Sequence, residues 1–345
     1  MKLDAYLTRL DIESAGEYAS ALERRGFGGL WVAETQIDPL LALAVAAPRT
    51  KTLRLGTGIA IAFARSPMVT AMDAWALQRA SGGRFDLGLG TQVRAHIVRR
   101  FAMPYERPVA RMREYVAALR QIWRAFQGED RLAFRGEFYR FDLLTPFFDP
   151  GPIAHPNVAV YLAAVNRRMF RLAGEIADGV VGHPFSTPAY LRDVALPALA
   201  RGLQRAGRRR DEVVIACPVF TLVESSPTLA SDAAYVREQL AFYASTPTYR
   251  AVLAHHGWSQ IGEALSALAR RGQFGDLSRA VTDEMLEAFV TYAPSYADLG
   301  RRLCERYDGV LDRVGLYGDV GRISEADTQA LSDALAAGGS ARPAD

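Results

Sequence analysis

Residues 53–69, LRLGTGIAIAFARSPMV, hold the unit from which the fold is read. Leu53 to Ala62 is mostly apolar without strict polar alternation, which suits a strand of a parallel sheet covered on both faces. Ser66-Pro67 follows, a residue able to cap a helix and a proline preset for its first turn. The same order of strand, short loop and capped helix recurs at Asp38-Pro39 and Thr187-Pro188. Ser14-Ala-Gly-Glu17 reads as a capping box opening the first helix. Val109, Met112, Val116, Leu119, Ile122, Trp123 and Phe126 recur every three or four residues, the apolar stripe of a helix lying on a sheet.

Working outward, comparable apolar runs lie at Leu3–Leu7, Leu30–Ala33, Phe85–Gly90, Val158–Val165, Gly179–Gly182, Val213–Val223 and Arg313–Tyr317, eight strands in all. Eight such units in 345 residues predict an α/β fold of the (β/α)8 TIM-barrel type with insertions, since the bare barrel needs only ~250 residues. A doubly wound sheet is the competing architecture. Gly56-Thr-Gly58 and Gly88-Leu-Gly90 weaken it, because Ile61 and Val93 stand where the dinucleotide fingerprint requires a third glycine. The expected organisation is a single domain over 1–336, with a hairpin insertion near 135–145, a mostly helical insertion near 224–294, and a flexible tail over 337–345. The helical insertion, broken at Thr246-Pro247, His255-His256-Gly257 and Arg270–Gln273, is the candidate lid or substrate-shaping excursion.

Composition narrows the chemistry. The chain is 50% hydrophobic and 23% charged with a net charge of +3, so no clustered basic footprint suggests nucleic acid as a partner. Of its 41 basic residues only Lys2 and Lys51 are lysines, and neither stands at a strand end where a Schiff-base or pyridoxal enzyme needs its amine. Cys217 and Cys304 lie far apart in apolar surroundings, as buried thiols in a reducing compartment do, and a cytoplasmic location is expected. No run approaches the ~20 apolar residues of a membrane span, and no secretory leader is legible in MKLDAYLTRL.

A parallel barrel carries its site at the carboxyl ends of its strands. Those ends hold Glu34, Thr35 and Gln36, then Gly58 to Ala62, Thr91 to His96, Ala164 to Arg168, and Gly182, His183 and Pro184. No metal-ligand spacing occurs among the five histidines, and His255-His256 reads as a solvated turn. There is no G-x-S-x-G elbow, so hydrolysis loses ground to cofactor chemistry. Asn166-Arg167-Arg168 opens a helix, where free backbone N–H groups, the helix dipole and two guanidinium groups can converge on an anion; a pair of surface arginines is the plainer reading. Tyr6, Phe63, Phe220 and Tyr317 would give the mouth an aromatic rim, although core packing explains each of them equally well.

LWVAET (30–35), LRLGTGIAIA (53–62), GGRFDLGLGTQVRAH (82–96), VYLAAVNRRMFRLAGEIADGVVGHPFST (160–187) and DRVGLY (312–317) together resemble the bacterial luciferase-like superfamily, in particular its coenzyme F420-dependent oxidoreductases. The resemblance implies a barrel holding a deazaflavin across its mouth, with hydride moving to or from ring carbon 5. It implies a cis peptide between Gly58 and Ile59 behind the ring, with Thr91 and His96 beside the ring or its ribityl chain. Ala163, Ala164, Val165 and Asn166 would pass the phosphate, with Arg167 strengthening that site and Gly182 and His183 completing that side. A homodimer is implied as well.

Many relatives carry a histidine just after the second strand, where Gln36 and Ile37 stand here, so Glu34 and His96 are the candidates for proton transfer, with His96 equally readable as only a hydrogen-bond partner of the cofactor. The expected function is hydride transfer between F420 and a small-molecule or peptide substrate. Reduction of an electron-poor C=C or C=N bond, as in a dehydroamino acid or another natural-product intermediate, stands beside alcohol/ketone interconversion. The alternatives are an FMN-dependent monooxygenase on the same fold and a non-catalytic barrel that binds a flavin or deazaflavin.

Overall fold

The computed structural model describes residues 1–318 and 320–338. Its strands are β1 (Lys2–Leu7), β2 (Gly29–Val32), β3 (Arg54–Thr57), β4 (Ala60–Ile61), β5 (Phe85–Gly90), β6 (Phe134–Arg135), β7 (Arg140–Phe141), β8 (Ala159–Ala163), β9 (Gly179–Val181), β10 (Val214–Val223), β11 (Val290–Ala293) and β12 (Arg313–Tyr317). The helices between them are α1 (Ile12–Arg24), α2 (Pro39–Ala46), α3 (Pro67–Ala80), α4 (Arg94–Arg99), α5 (Pro108–Phe126), α6 (Arg167–Ile176), α7 (Pro188–Tyr190), α8 (Leu196–Ala206), α9 (Leu229–Ser245), α10 (Arg250–His255), α11 (Ser259–Arg270), α12 (Asp283–Phe289), α13 (Tyr296–Tyr307) and α14 (Glu325–Gly338).

The sheet runs β1, β2, β3 with β4, β5, β8, β9, β10, β12, all parallel, and β12 pairs back onto β1. That closure makes a (β/α)8 barrel and disposes of the doubly wound alternative. Three of the expected caps form: Asp38, Ser66 and Thr187 accept backbone N–H bonds from Leu40, Val69 and Tyr190. The capping box at Ser14 does not. Helix α1 starts at Ile12 with Asp11 as its cap residue, which leaves Ser14 inside the first turn, donating its hydroxyl to the Asp11 carbonyl.

β6 and β7 pair antiparallel, Phe134 with Phe141 and Arg135 with Arg140. The helical insertion holds its own apolar core, with Phe185, Phe220, Leu240, Leu253, Met285 and Phe289 buried together. It also contains a strand that the sequence reading missed. β11 pairs with the upper half of β10, Phe220 to Val223, while the lower half of β10 pairs with β9 and β12. Four residues after a helix carry no period of their own, so only the partner strand reveals it. Of the tail expected over 337–345, Ala337 and Gly338 close α14, and residues 339–345 lie outside the described residues.

The barrel interior is layered. At the bottom, buried Asp4 accepts from Trp31 Nε1 (2.9 Å) and Arg313 Nε (2.7 Å), and buried Asp86 accepts from Arg54 Nε (2.7 Å). Such pairs are safe only with their remaining hydrogen bonds made. Above them the rings of Tyr6, Trp31 and Tyr161 fill the centre. Glycines make room: a Cβ on Gly315 would lie 2.0 Å from the Tyr6 ring, one on Gly179 2.1 Å from Tyr161, and one on Gly56 2.4 Å from Trp31. Tyr6 and Phe63, expected at the rim, are therefore core residues at 4% and 0% exposure. The Arg111 guanidinium lies 4.6 Å from the Phe63 ring centre.

Candidate functional site

One side of the mouth is shaped by a bulge. β3 pairs with β5 as Gly56 to Asp86, and pairing resumes as Ala60 to Leu89, so three residues of one strand face two of the other. The extra residue falls at Gly58–Ile59, whose peptide bond is cis, as the resemblance implies. The neighbouring strand yields through its glycines. A Cβ on Gly88 would lie 2.0 Å from the Thr57 carbonyl oxygen, and one on Gly90 2.6 Å from Ile59 Cδ1. Thr57 Oγ1 donates to the Gly88 carbonyl (2.7 Å).

Glu34 clamps this bulge. Its backbone N–H donates to the Ile59 carbonyl (2.9 Å), and its Oε2 accepts from the Ile61 N–H (2.6 Å). Both carboxylate oxygens also accept from Arg65, at 2.8 and 2.9 Å, and the Glu34 side chain is 8% exposed. Arg65 reaches Asp38 as well (2.8 Å). A bidentate guanidinium and a backbone donor fix the position of the Glu34 carboxylate. These contacts give Glu34 a positional part at the bulge, beside the acid or base role expected of it.

The opposite side, β9 to β12, presents side chains. Val181 lies in the barrel's central layer, and His183, two residues on, shares its inward face. His183 Nδ1 accepts from the Phe185 N–H (3.1 Å), so the proton of the neutral ring sits on Nε2, which faces the Tyr249 hydroxyl at 2.9 Å. Burial pulls the imidazole down to about 3, which keeps it neutral. Its ring stacks on Tyr249 (centroids 4.4 Å apart) and meets Tyr243 edge-on (4.5 Å). The Tyr243 and Tyr317 hydroxyls are 2.5 Å apart, and Tyr317 donates to Gln239 (3.3 Å). Burial raises the Tyr243 phenol to about 12. Of the expected rim, Tyr317 is in place, while Phe220 is fully buried beneath it, their ring centroids 5.1 Å apart. Tyr235, Gln239 and Tyr243 recur every four residues on α9, a one-faced spacing that could have marked this surface in the sequence.

Between the two sides lies the start of α6. Asn166 Oδ1 accepts from the Met169 N–H (3.4 Å), and Val165 accepts from the Tyr190 hydroxyl (2.9 Å). A cavity of about 600 Å³ opens here, lined by Asn166, Arg167, Arg168, Tyr190, Ala251 and His255 among others. Neither arginine has a carboxylate partner among the described residues, whereas Arg65, Arg54 and Arg313 are all paired. Ala163 is half-buried and Ala164 buried at the end of β8, and Gly182 donates to the Ala216 carbonyl (2.7 Å) where a Cβ would strike Cys217 Sγ.

Thr91 is half-buried at the end of β5, donating to the Gln92 carbonyl (3.2 Å), and His96 is exposed on α4. The structure therefore gathers Gly58, Ile59 and Glu34 into one wall, and Asn166, Arg167 and Arg168 around one cavity. Tyr243 and Tyr249 were missed in the sequence, hidden in an insertion identified only by its outline. His255 and His256, expected as a solvated turn, tie that insertion down: His256 Nε2 lies 2.7 Å from the Thr187 hydroxyl, and His255 pairs with Asp193 (3.3 Å). No cluster of metal-ligating side chains occurs among the described residues.

Comparison with known proteins identifies the family. An uncharacterised protein of Mycobacterium tuberculosis is 45% identical over 315 residues, covering 91% of this chain and 92% of its own. A 5,10-methylenetetrahydromethanopterin reductase of Archaeoglobus fulgidus is 29% identical over 282 residues, 79% of this chain and 80% of its own. The solved coenzyme F420-dependent tetrahydromethanopterin reductase of Methanopyrus kandleri superposes with a TM-score of 0.77 at 21% identity, over 96% of each chain. The sequence profile of the luciferase-like monooxygenases matches residues 3–313, nearly the whole barrel, and the chain belongs to that family.

Proposed function

We propose that this protein is an F420-dependent oxidoreductase that moves a hydride between the deazaflavin and an organic substrate. The observation that carries the reading is the cavity at the start of α6, where two arginines without carboxylate partners flank a helix N-terminus, with β5 standing between its strand, β8, and the bulged β3 and β4. A flat ring system bearing a phosphate tail needs both features. The residues fit such a group in a further respect. The Tyr6 hydroxyl is buried without a hydrogen-bond partner among the described residues, in the layer just below the mouth.

When bound, F420 supplies a two-electron hydride donor at ring carbon 5. The chain's own share is binding and orientation. Ile59 and the bulge would back the ring, with Glu34 and Arg65 holding that backing in place. Asn166, Arg167 and Arg168 would take the phosphate, with Ala163, Ala164, Val165 and Gly182 allowing its close approach. Thr91 and His96 would stand at the open edge of the ring. Similarity to the archaeal reductases supports this reading over FMN.

The test is a titration of the purified protein with F420 and, separately, with FMN. A saturable shift of the deazaflavin absorbance is expected. Retention of FMN with no such shift would overturn the proposal.

A homodimer belongs to the same reading. Helix α2, PLLALAVA, is apolar all round, a pattern that normally goes with full burial, yet Leu41 is 55% and Val45 38% exposed. Met72 and Val69 on the neighbouring α3 extend the patch. Sedimentation of a monomer at micromolar concentration would refute it.

A further inference from the structure

Tyr249 stands out among the phenols of the aromatic wall. Tyr243 and Tyr317 are hydrogen-bonded to each other, but Tyr249 is held differently. The Phe185 N–H occupies His183 Nδ1, so His183 Nε2–H must be the donor in the 2.9 Å contact with the Tyr249 oxygen. That contact leaves the Tyr249 proton unused, and no acceptor for it occurs among the described residues. The surrounding wall, Tyr243, Tyr317, Gln239 and His183, carries no charge. Its nearest chemical need is a neutral acceptor oxygen. An iminium cation would call for a carboxylate, and Glu34 is across the barrel and paired with Arg65. An isolated alkene offers nothing for the phenol to grip.

We infer that Tyr249 is the group that takes hold of the substrate and delivers its proton, with His183 as its positioning residue, and that the substrate is a neutral carbonyl compound, a ketone or an enone. The inference rests on the F420 reading above and adds the substrate class. In the reducing direction the reduced deazaflavin, when bound, would supply the hydride that bonds to the carbonyl carbon, or to the β-carbon of an enone. The π electrons move to the oxygen, and the Tyr249 O–H bond breaks as its proton bonds to that oxygen. The phenolate left behind keeps its hydrogen bond from His183 Nε2–H and takes a proton from solvent. One carbonyl compound and one reduced deazaflavin give one alcohol, or the enol of the saturated ketone, and one oxidised deazaflavin. Burial raises the Tyr249 phenol above its ordinary value, which keeps it protonated until the more basic alkoxide forms opposite it.

The test reads the grip and not only turnover. Cyclohex-2-enone and cyclohexanone, each labelled with 13C at the carbonyl, are titrated into the full-length protein with and without oxidised F420, and the carbonyl stretch is followed by infrared difference spectroscopy. The wild type should show a saturable band displaced to lower wavenumber, the mark of a phenol donating to the carbonyl. Tyr249→Phe should abolish the displacement and weaken probe binding about fivefold to tenfold. It should leave F420 affinity unchanged. Tyr243→Phe should retain the displaced band, and His183→Gln, which keeps an N–H donor near Nε2, should retain more of it than His183→Ala. An undisplaced band in the wild type, an unaltered band in Tyr249→Phe, or no saturable binding of either probe would overturn the inference. Failure of F420 to bind while the band still depends on Tyr249 would instead refute the cofactor assignment and leave the carbonyl grip standing.

Discussion

On the β1–β5 side the mouth is made of backbone, and on the β9–β12 side it is made of side chains. The bulge at Gly58–Ile59 depends on Gly88 and Gly90 having no side chains, and Glu34 and Arg65 hold it from behind. The facing wall depends on Tyr243, Tyr249 and Tyr317, two of them contributed by an insertion with its own core. The contrast teaches a division of labour. Under the proposed function the backbone wall would hold the cofactor. Side chains on an insertion suit the partner that differs from one enzyme to the next.

The largest expected effect comes from closing the space that the bulge needs. Gly88→Ala puts a methyl group 2.0 Å from a backbone oxygen that has no rotamer to escape into, and should cost ~2–4 kcal/mol in denaturant unfolding. Tyr243→Phe on the other wall should cost about 1 kcal/mol. Equal costs would break the contrast. Next is Arg65→Met, which leaves the nearly buried Glu34 carboxylate without its partner and should lose ~3 kcal/mol together with F420 affinity. Adding Glu34→Gln should recover part of that stability, and a purely additive double variant would show that the two residues do not act as a pair.

Replacing Arg167 and Arg168 together with alanine should weaken F420 binding about 10- to 100-fold with little change in melting temperature. An unchanged affinity would move the phosphate elsewhere. The smallest effect is a control at the closed end of the barrel. Glu23 accepts from the backbone N–H groups of Lys51, Thr52 and Leu53 and from the Thr52 hydroxyl. Partial burial raises its pKa, but these donors outweigh that and bring it from 4.5 to about 2. A carboxyl group depressed in the folded state stabilises fully above its unfolded value, so this contribution should fade as pH falls from about 4.5 toward 2. Glu23→Gln should flatten that acid limb while cofactor affinity holds. An unchanged acid limb would show that Glu23 carries none of it.

Much of the barrel was legible because its signals are local. Apolar runs marked eight strands, and Asp38, Ser66 and Thr187 announced three helices through side chains that reach only two or three residues. Ser14 misled because a hydroxyl in the first turn has the same local pattern as a cap. What stayed hidden was set by pairing over distance. The bulge exists only as a register offset between β3 and β5, and β11 only as a partner of β10. Tyr6 and Phe63 could not be told from rim residues, since inward-facing positions at different heights of one barrel share the same alternation. The phenolic wall lay beyond reach for a similar reason. Tyr249 matters through His183, 66 residues away in sequence, and no spacing rule connects them.

The three rings packed against Gly56, Gly179 and Gly315 plug the barrel. A stoppered cylinder has one doorway, so whatever enters through the mouth must leave the same way. Two ligands sharing that doorway cannot be exchanged independently when one lies deeper than the other. Were the proposed cofactor to lie deeper than the substrate, binding in a fixed sequence, with the outer ligand released first, would follow from how the floor is packed, however the insertion above were remodelled.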